Sequence, residues 1–302
     1  MNGTTRGGAG DGPEALEATA RAAIRSTADG RSMYDAAGRP DAPAIVFVHG
    51  TRLTRAAWAP QMADLSDEFR TIAVDLPGHG ELADTPFTLA GAADAVARAI
   101  DAVAGGRAIV VGLSLGGYVA MDLASRSPER VRGLVLAGAT ADPTGPRRLP
   151  YLGLAWVMAT FDGPRLDGLN RWFFRTRFAP DLADPIIAGG FWSSGGAAAL
   201  RAIAGESFLP RLAAYPGPTL LLNGEFDIPF RLSLGAFTRA AQRPTRIRLA
   251  GASHLSNLDR PAAFDAAIRR FAATIPDVWE APLSSSSEGS RYTAPTLPNP
   301  PD

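Results

Sequence analysis

The stretch Ala108–Ser125, AIVVGLSLGGYVAMDLAS, decides the fold. It opens with AIVV, a run without polar alternation, which suits a strand buried on both faces of a parallel sheet. It closes on the helix-like YVAMDLAS. Between them stands Gly112-Leu113-Ser114-Leu115-Gly116, with Gly117 following. A strand, a tight glycine turn and a helix in direct succession hold a serine hydroxyl out at the sheet edge. Glycines two positions before and after relieve crowding around the strained serine backbone. The helix N-terminus beneath favours developing negative charge. Ser114 is therefore the candidate nucleophile; the plainer alternative is a Gly-rich turn with an idle serine.

The same alternation continues on both sides. Upstream lie Ala44–Val48 (AIVFV), followed by His49-Gly50, and Thr71–Val74 (TIAV), followed by DLPGHG. Downstream lie Leu134–Leu136, Thr219–Leu222 and Arg246–Leu249. Helical patterns fall between them at Trp58–Phe69, Leu89–Val103, Gly117–Ser125, Phe237–Ala241 and Ala262–Ala272. Strands alternating with helices predict a doubly wound, mostly parallel α/β sheet. Residues 141–212 break the alternation. They hold no clear strand, carry clustered aromatics, and read as short helices forming a cap over the carboxyl edge of the sheet, where open α/β sheets bind ligands. The expected organisation is a disordered leader (1–13), a core (14–140 and 213–275), the inserted helical cap (141–212) and a Ser- and Pro-rich disordered tail (276–302).

A serine nucleophile needs a base, and the chain has three histidines, His49, His79 and His254. His254, in GASHLSNLDRP, follows the last predicted strand and precedes the last helix, so its loop reaches the same sheet edge as Ser114. It is the candidate general base. Asp227, in NGEFD after the TLLL strand, is the candidate orienting acid; Asp142 and Glu225 compete for that role.

Composition narrows the chemistry. The 302 residues are 46% hydrophobic, and 30 basic residues balance 30 acidic ones. Zero net charge gives no support for a nucleic-acid or anionic-membrane partner. No cysteine is present, which excludes thiol nucleophiles, disulfides and Cys-ligated metals. Every basic residue is Arg, which excludes a Schiff-base lysine, a Ser–Lys dyad and a P-loop. The longest apolar run, about Leu149 to Phe161, is shorter than the roughly 20 residues a membrane span needs. The N-terminus lacks the apolar stretch of a signal peptide, so a cytoplasmic protein is expected. No metal or organic cofactor is implied. A monomer and a homodimer fit the sequence equally.

VFVHG (46–50), DLPGHG (75–80), GLSLGG (112–117), NGEFD (223–227) and GASHLSNLDRP (251–261) together resemble the α/β-hydrolase family, over about residues 40–272. The resemblance implies an eight-stranded, mostly parallel sheet with a helical cap. It also implies an oxyanion hole from the backbone N–H groups of Leu115 and Thr51, and loop-shaping roles for His49 and His79. The chain departs from the family pattern in three places. The N-terminal strands are weak: RSMYDAAG (31–38) supplies one and residues 14–24 read as helical, so fewer than eight strands are expected. The Thr51–Arg55 loop carries two arginines in place of an HGGG sequence. Glu81 stands where a small residue is common.

GLSLGG and the following SPERVRGLVLAGATADP are similar to the enol-lactonase and small-carboxylesterase branches. The resemblance implies a serine hydrolase acting on a small-molecule ester or lactone. Carbon–carbon hydrolysis of a keto-enol acid and a non-catalytic binding protein are the alternatives. Arg52, Trp156, Trp172, Phe191 and Trp192 are the candidate substrate contacts. Residues 145–180 hold six arginines (Arg147, Arg148, Arg165, Arg171, Arg175 and Arg177) against Asp162 and Asp167. They read either as an anion-binding entrance or as a solvated helix face.

Overall fold

A computed structural model describes residues 32–276. The expected leader, the helical reading of 14–24 and the tail from 277 onward lie outside the described residues.

Among the described residues seven strands form one sheet: β1 (Tyr34–Ala37), β2 (Ala44–Val48), β3 (Arg70–Val74), β4 (Ala108–Leu113), β5 (Val131–Ala137), β6 (Pro218–Gly224) and β7 (Arg243–Leu249), in the spatial order β1-β3-β2-β4-β5-β6-β7. Only β1 runs antiparallel, Tyr34 opposite Val74, at the edge. The other pairings are parallel, with Val46 beside Val110 and Val111 beside Val135. The order reverses around β2 and β4, so the loops leaving these two strands open a crevice at the carboxyl edge.

The uninterrupted apolar runs are explained by burial on both faces. On one face Val46, Val48, Val110, Leu134, Leu136 and Leu221 meet α2 (Leu89–Val103) and α3 (Leu115–Arg126). On the other, Ile45, Phe47, Ile109, Val111, Leu220 and Leu222 meet Trp58, just before α1 (Ala59–Leu65), and Phe264 and Phe271 of α12 (Pro261–Ala273). Helix α2 starts where Thr88 accepts a hydrogen bond from the Gly91 N–H, an N-cap through its side-chain oxygen. Strand β7 departs from the expectation of two-sided burial. Most of it is exposed, and Arg243, Arg246 and Arg248 stand along it. It is an edge strand, and charge along an edge discourages pairing with another chain.

Five helices fill the connection between β5 and β6: α4 (Arg148–Thr160), α5 (Pro164–Arg177), α6 (Pro180–Gly189), α7 (Ser193–Ile203) and α8 (Leu209–Ala214). Phe174, Phe178, Ile186 and Phe191 from this connection pack on Leu53, Ala57 and Leu258 of the core loops. The short helices α9 (Ile228–Arg231), α10 (Leu234–Ala240) and α11 (Ser256–Asp259) complete the chain between β6 and α12. Among the described residues, no helix is long and apolar enough to cross a membrane.

One ionisable group sits badly in this core. Asp265 on α12 is 1% exposed, and its Oδ1 has no hydrogen-bond partner. Burial, reinforced by the nearby Asp64 carboxylate, pushes its pKa up to about 8 against the opposing pull of Arg269. The unfolded chain ionises this group near pH 4, the folded chain near 8. The folded state therefore binds more protons across that window, and stability falls as pH rises through it. Asp265→Asn is expected to raise the melting temperature, by a larger margin at pH 7.5 than at pH 5. Thermal denaturation of both proteins at the two pH values checks this.

Candidate functional site

Ser114 links β4 to α3 with φ 52° and ψ −114°, one of two non-glycine residues with positive φ among those described. Such a conformation costs about 1–3 kcal/mol and persists only where the surroundings impose it. Here the Ser114 N–H donates to Ala137 O at 2.8 Å, and the turn is squeezed between backbones. A Cβ on Gly112 would lie 2.4 Å from the Gly116 carbonyl, and one on Gly116 would lie 2.1 Å from Val48 O. The motif glycines are therefore required by close approach as well as by the turn. Leu115 is the first residue of α3, so its N–H has no intrahelical acceptor and faces the serine end of the turn.

Asp227 and His254 are brought together by two zipped loops. The Glu225 N–H donates to Leu249 O and the Phe226 N–H to Ala252 O, each at 2.9 Å. The Gly251 N–H donates to Glu225 Oε2 at 2.9 Å, which occupies the competing carboxylate. Asp227 Oδ2 then stands 3.0 Å from His254 Nδ1, with Asp227 buried and the histidine ring partly open. Gly138, at φ 55°, backs this pair; a Cβ there would lie 2.9 Å from both Asp227 Oδ2 and His254 Nδ1. Phe230 stacks on the His254 ring at 4.6 Å between centroids. Asp142, the other competing acid, accepts from the Phe208 N–H at 2.9 Å and from Thr144 Oγ1 at 3.1 Å, and so ties the start of the cap connection to its end.

Ser114, His254, Thr51 and Arg52 open onto one cavity of about 670 Å³. Its walls are mainly apolar, with Leu53, Met158, Phe173, Phe174, Phe191 and Phe230 among them. Size and lining suit a small organic ligand. Of the expected contacts, Arg52 and Phe191 line the cavity; Trp156, Trp172 and Trp192 do not. Trp156 and Trp172 are about 60% exposed on the outer side of α4 and α5, and the Trp192 indole N–H donates to Gly189 O. The reason is orientation: α4 places Tyr151, Leu154 and Met158 along the cavity and Leu149, Leu152 and Trp156 toward solvent. Of the six arginines in 145–180, only Arg147 lines the cavity, and Arg177 pairs with Asp259.

His49 and His79 hold the loops beside the cavity. The Leu76 N–H donates to His49 Nε2 at 3.1 Å, and the Arg52 N–H donates to His79 Nε2 at 3.3 Å. A ring nitrogen that accepts is unprotonated, so each imidazole is neutral, with Nδ1–H turned to the carbonyl of Gly50 or Pro77. Burial depresses both pKa values, His49 to about 4 and His79 to about 3.

A model of the alpha/beta hydrolase family matches residues 45–267. The chain belongs to the α/β-hydrolase family. Over 143 residues it is 37% identical to a pimeloyl-[acyl-carrier protein] methyl ester esterase of Neisseria meningitidis serogroup B, a match that spans 46% of this chain and about half (52%) of that relative. Over 247 residues it is 28% identical to 3-oxoadipate enol-lactonase 1 of Acinetobacter baylyi, covering 75% of this chain and 87% of the relative. The crystal structure of the enol-lactonase from Burkholderia xenovorans LB400 shares the fold, with TM-score 0.65 at 24% identity, covering 80% of this chain and 95% of that one. This α/β hydrolase thus has esterases and an enol-lactonase among its relatives.

Neutral buried imidazoles link the stability of the fold to pH. Unfolded chains protonate His79 near pH 6.5, the folded chain only near 3, so the unfolded state binds more protons in between and stability falls as pH is lowered through that range. His79→Gln is expected to show a shallower loss of melting temperature between pH 6.5 and 4 than wild type. Parallel thermal scans across that range measure it.

Proposed function

We propose that this α/β hydrolase is a serine hydrolase that cleaves a small carboxylic ester or lactone through an acyl-enzyme. The observation that carries this reading is the Asp227–His254 pair opening, with the strained Ser114, onto one apolar cavity. Ser114 Oγ attacks the carbonyl carbon while His254 Nε2 takes the hydroxyl proton. Asp227 holds the Nδ1–H toward itself, which fixes the tautomer and favours the imidazolium that forms. The oxyanion of the tetrahedral intermediate is received by the N–H groups of Leu115 and Thr51; one such donor is worth about 3–4 kcal/mol. The neighbouring Arg52 N–H is already given to His79, which supports Thr51 as the donor from that loop.

Collapse of the intermediate returns the proton from His254 to the leaving oxygen and leaves the acyl group on Ser114. An activated water then repeats the sequence and frees the acid. In a lactone, the leaving oxygen stays attached as the hydroxyl of the opened chain.

A fluorophosphonate probe tests this directly. Wild type is expected to be labelled at Ser114, and Ser114→Ala to be unlabelled and to lose roughly four or more orders of magnitude in turnover of acyl nitrophenyl esters, with its circular dichroism spectrum unchanged. Undiminished turnover by Ser114→Ala would refute the reading.

A further inference from the structure

Two arginines line the cavity, Arg147 at its exposed rim and Arg52 within. Arg55, three positions along the same loop, is fully matched: Asp75 and Asp35 both pair with its guanidinium. Arg52 is not. Its Nε is buried without a hydrogen-bond partner, and no carboxylate stands within ion-pair range of it among the described residues. Asp167 and Asp162 act on it only through space, while burial works against its charge. Asn170, also on the cavity wall, has its Nδ2 buried without a partner. The cavity wall thus holds two planar donors without hydrogen bonds, near the equally unpartnered Asp167 Oδ1, a costly arrangement that a ligand accepting from Arg52 and Asn170 would relieve.

The backbone at Arg52 points the same way. Its φ of 68° is the other positive value at a non-glycine residue, so both such residues among those described line this cavity. The DLPGHG turn and the N-terminal end of α7 hold it there. His79 Nε2 accepts from the Arg52 N–H, and the Trp192 N–H donates to Arg52 O at 3.0 Å. On α7, Gly196 lies so close that a Cβ would stand 2.7 Å from Arg52 Cγ. Strain imposed by two elements fixes the stem of a side chain whose charged end makes no hydrogen bond to the protein. Such conformations gather at ligand clamps.

We infer that Arg52 binds a carboxylate of the substrate, so that the site takes esters or lactones carrying a free acid group, such as half-esters of short dicarboxylic acids. A guanidinium offers a planar fork that matches a carboxylate with two parallel hydrogen bonds, and few groups other than phosphate can do this. Arg52 follows Thr51 directly, so the carboxylate lies within one side-chain length of the oxyanion loop. That places the acid group a short chain away from the scissile carbonyl. The inference rests on the serine-hydrolase reading for the reaction but not for the binding.

The test compares monomethyl succinate, glutarate and adipate with methyl butanoate, pentanoate and hexanoate, in which a methyl group replaces the acid. Wild type is expected to prefer the acid ester of at least one length by roughly ten- to a hundredfold in kcat/KM. Arg52→Gln is expected to bring that ratio close to one, whatever happens to the absolute rates, and Arg52→Lys to retain part of it. Equal rates for acid and neutral esters in wild type, or a proportional loss of both in Arg52→Gln, would overturn the inference and leave Arg52 as a countercharge to Asp167. Calorimetric titration of Ser114→Ala with succinate, glutarate and adipate reads the same site without turnover. Binding that disappears in the Ser114→Ala/Arg52→Gln double variant supports the inference; no binding, or binding unchanged by Arg52→Gln, contradicts it. Loss of the serine chemistry alone would show instead as absent phosphonate labelling.

Discussion

A serine at φ 52° does not hold itself there; the contact of Gly112 with Gly116, and of Gly116 with the end of β2, holds it. This contact works because β4 is central and parallel, flanked by β2 and β5. The strand cannot retreat from the helix that follows it, and the helix is packed against the sheet. Any side chain at Gly116 would drive α3 off Val48. The strain is therefore supported by the whole core, which is where a cost of about 1–3 kcal/mol can be absorbed.

The rest of the site is assembled by polar groups that serve as ties. Asp75, at the end of β3, accepts from the backbone N–H groups of Arg55 and Glu81 and pairs with the Arg55 guanidinium, so it joins the loop after β2 to the DLPGHG turn. His79 makes a second tie between the same loops through the Arg52 N–H. Glu225 clasps the loop after β7 and leaves Asp227 as the acid that faces His254. Asp75 and His79 are buried and Glu225 is half-buried, and each is paired, which a buried polar group requires. Their neutrality or pairing is what lets the loops hold one shape around an apolar cavity.

Much of this was legible in the sequence because the chemistry demands local patterns. The elbow needs glycines at fixed offsets, and the central strands need unbroken apolar runs. The loops after the strands at 219–222 and 246–249 held the residues that now face each other, Asp227 and His254. The cavity wall was not legible, for a physical reason. Helix α4, RLPYLGLAWVMAT, is apolar around most of its circumference, so its periodicity does not say which face turns inward. Trp156 was expected inside and stands outside, while Tyr151 and Met158 line the cavity. Phe230 carried only the weak signal of lying three residues after Asp227. Strand β7 differs from the central strands: Arg246 and Arg248 interrupt its apolar run and mark an exposed edge.

The proposed chemistry stands on Ser114 carrying the acyl group. Stopped-flow measurement of nitrophenol release, with mass spectrometry of the quenched enzyme, tests it most directly. An acyl-enzyme on Ser114 gives a burst approaching one equivalent when deacylation is the slower step, and an acyl mass on the peptide that contains Ser114. Steady turnover with the acyl group on another residue, or with no acylated enzyme for any slowly deacylated ester, would contradict it.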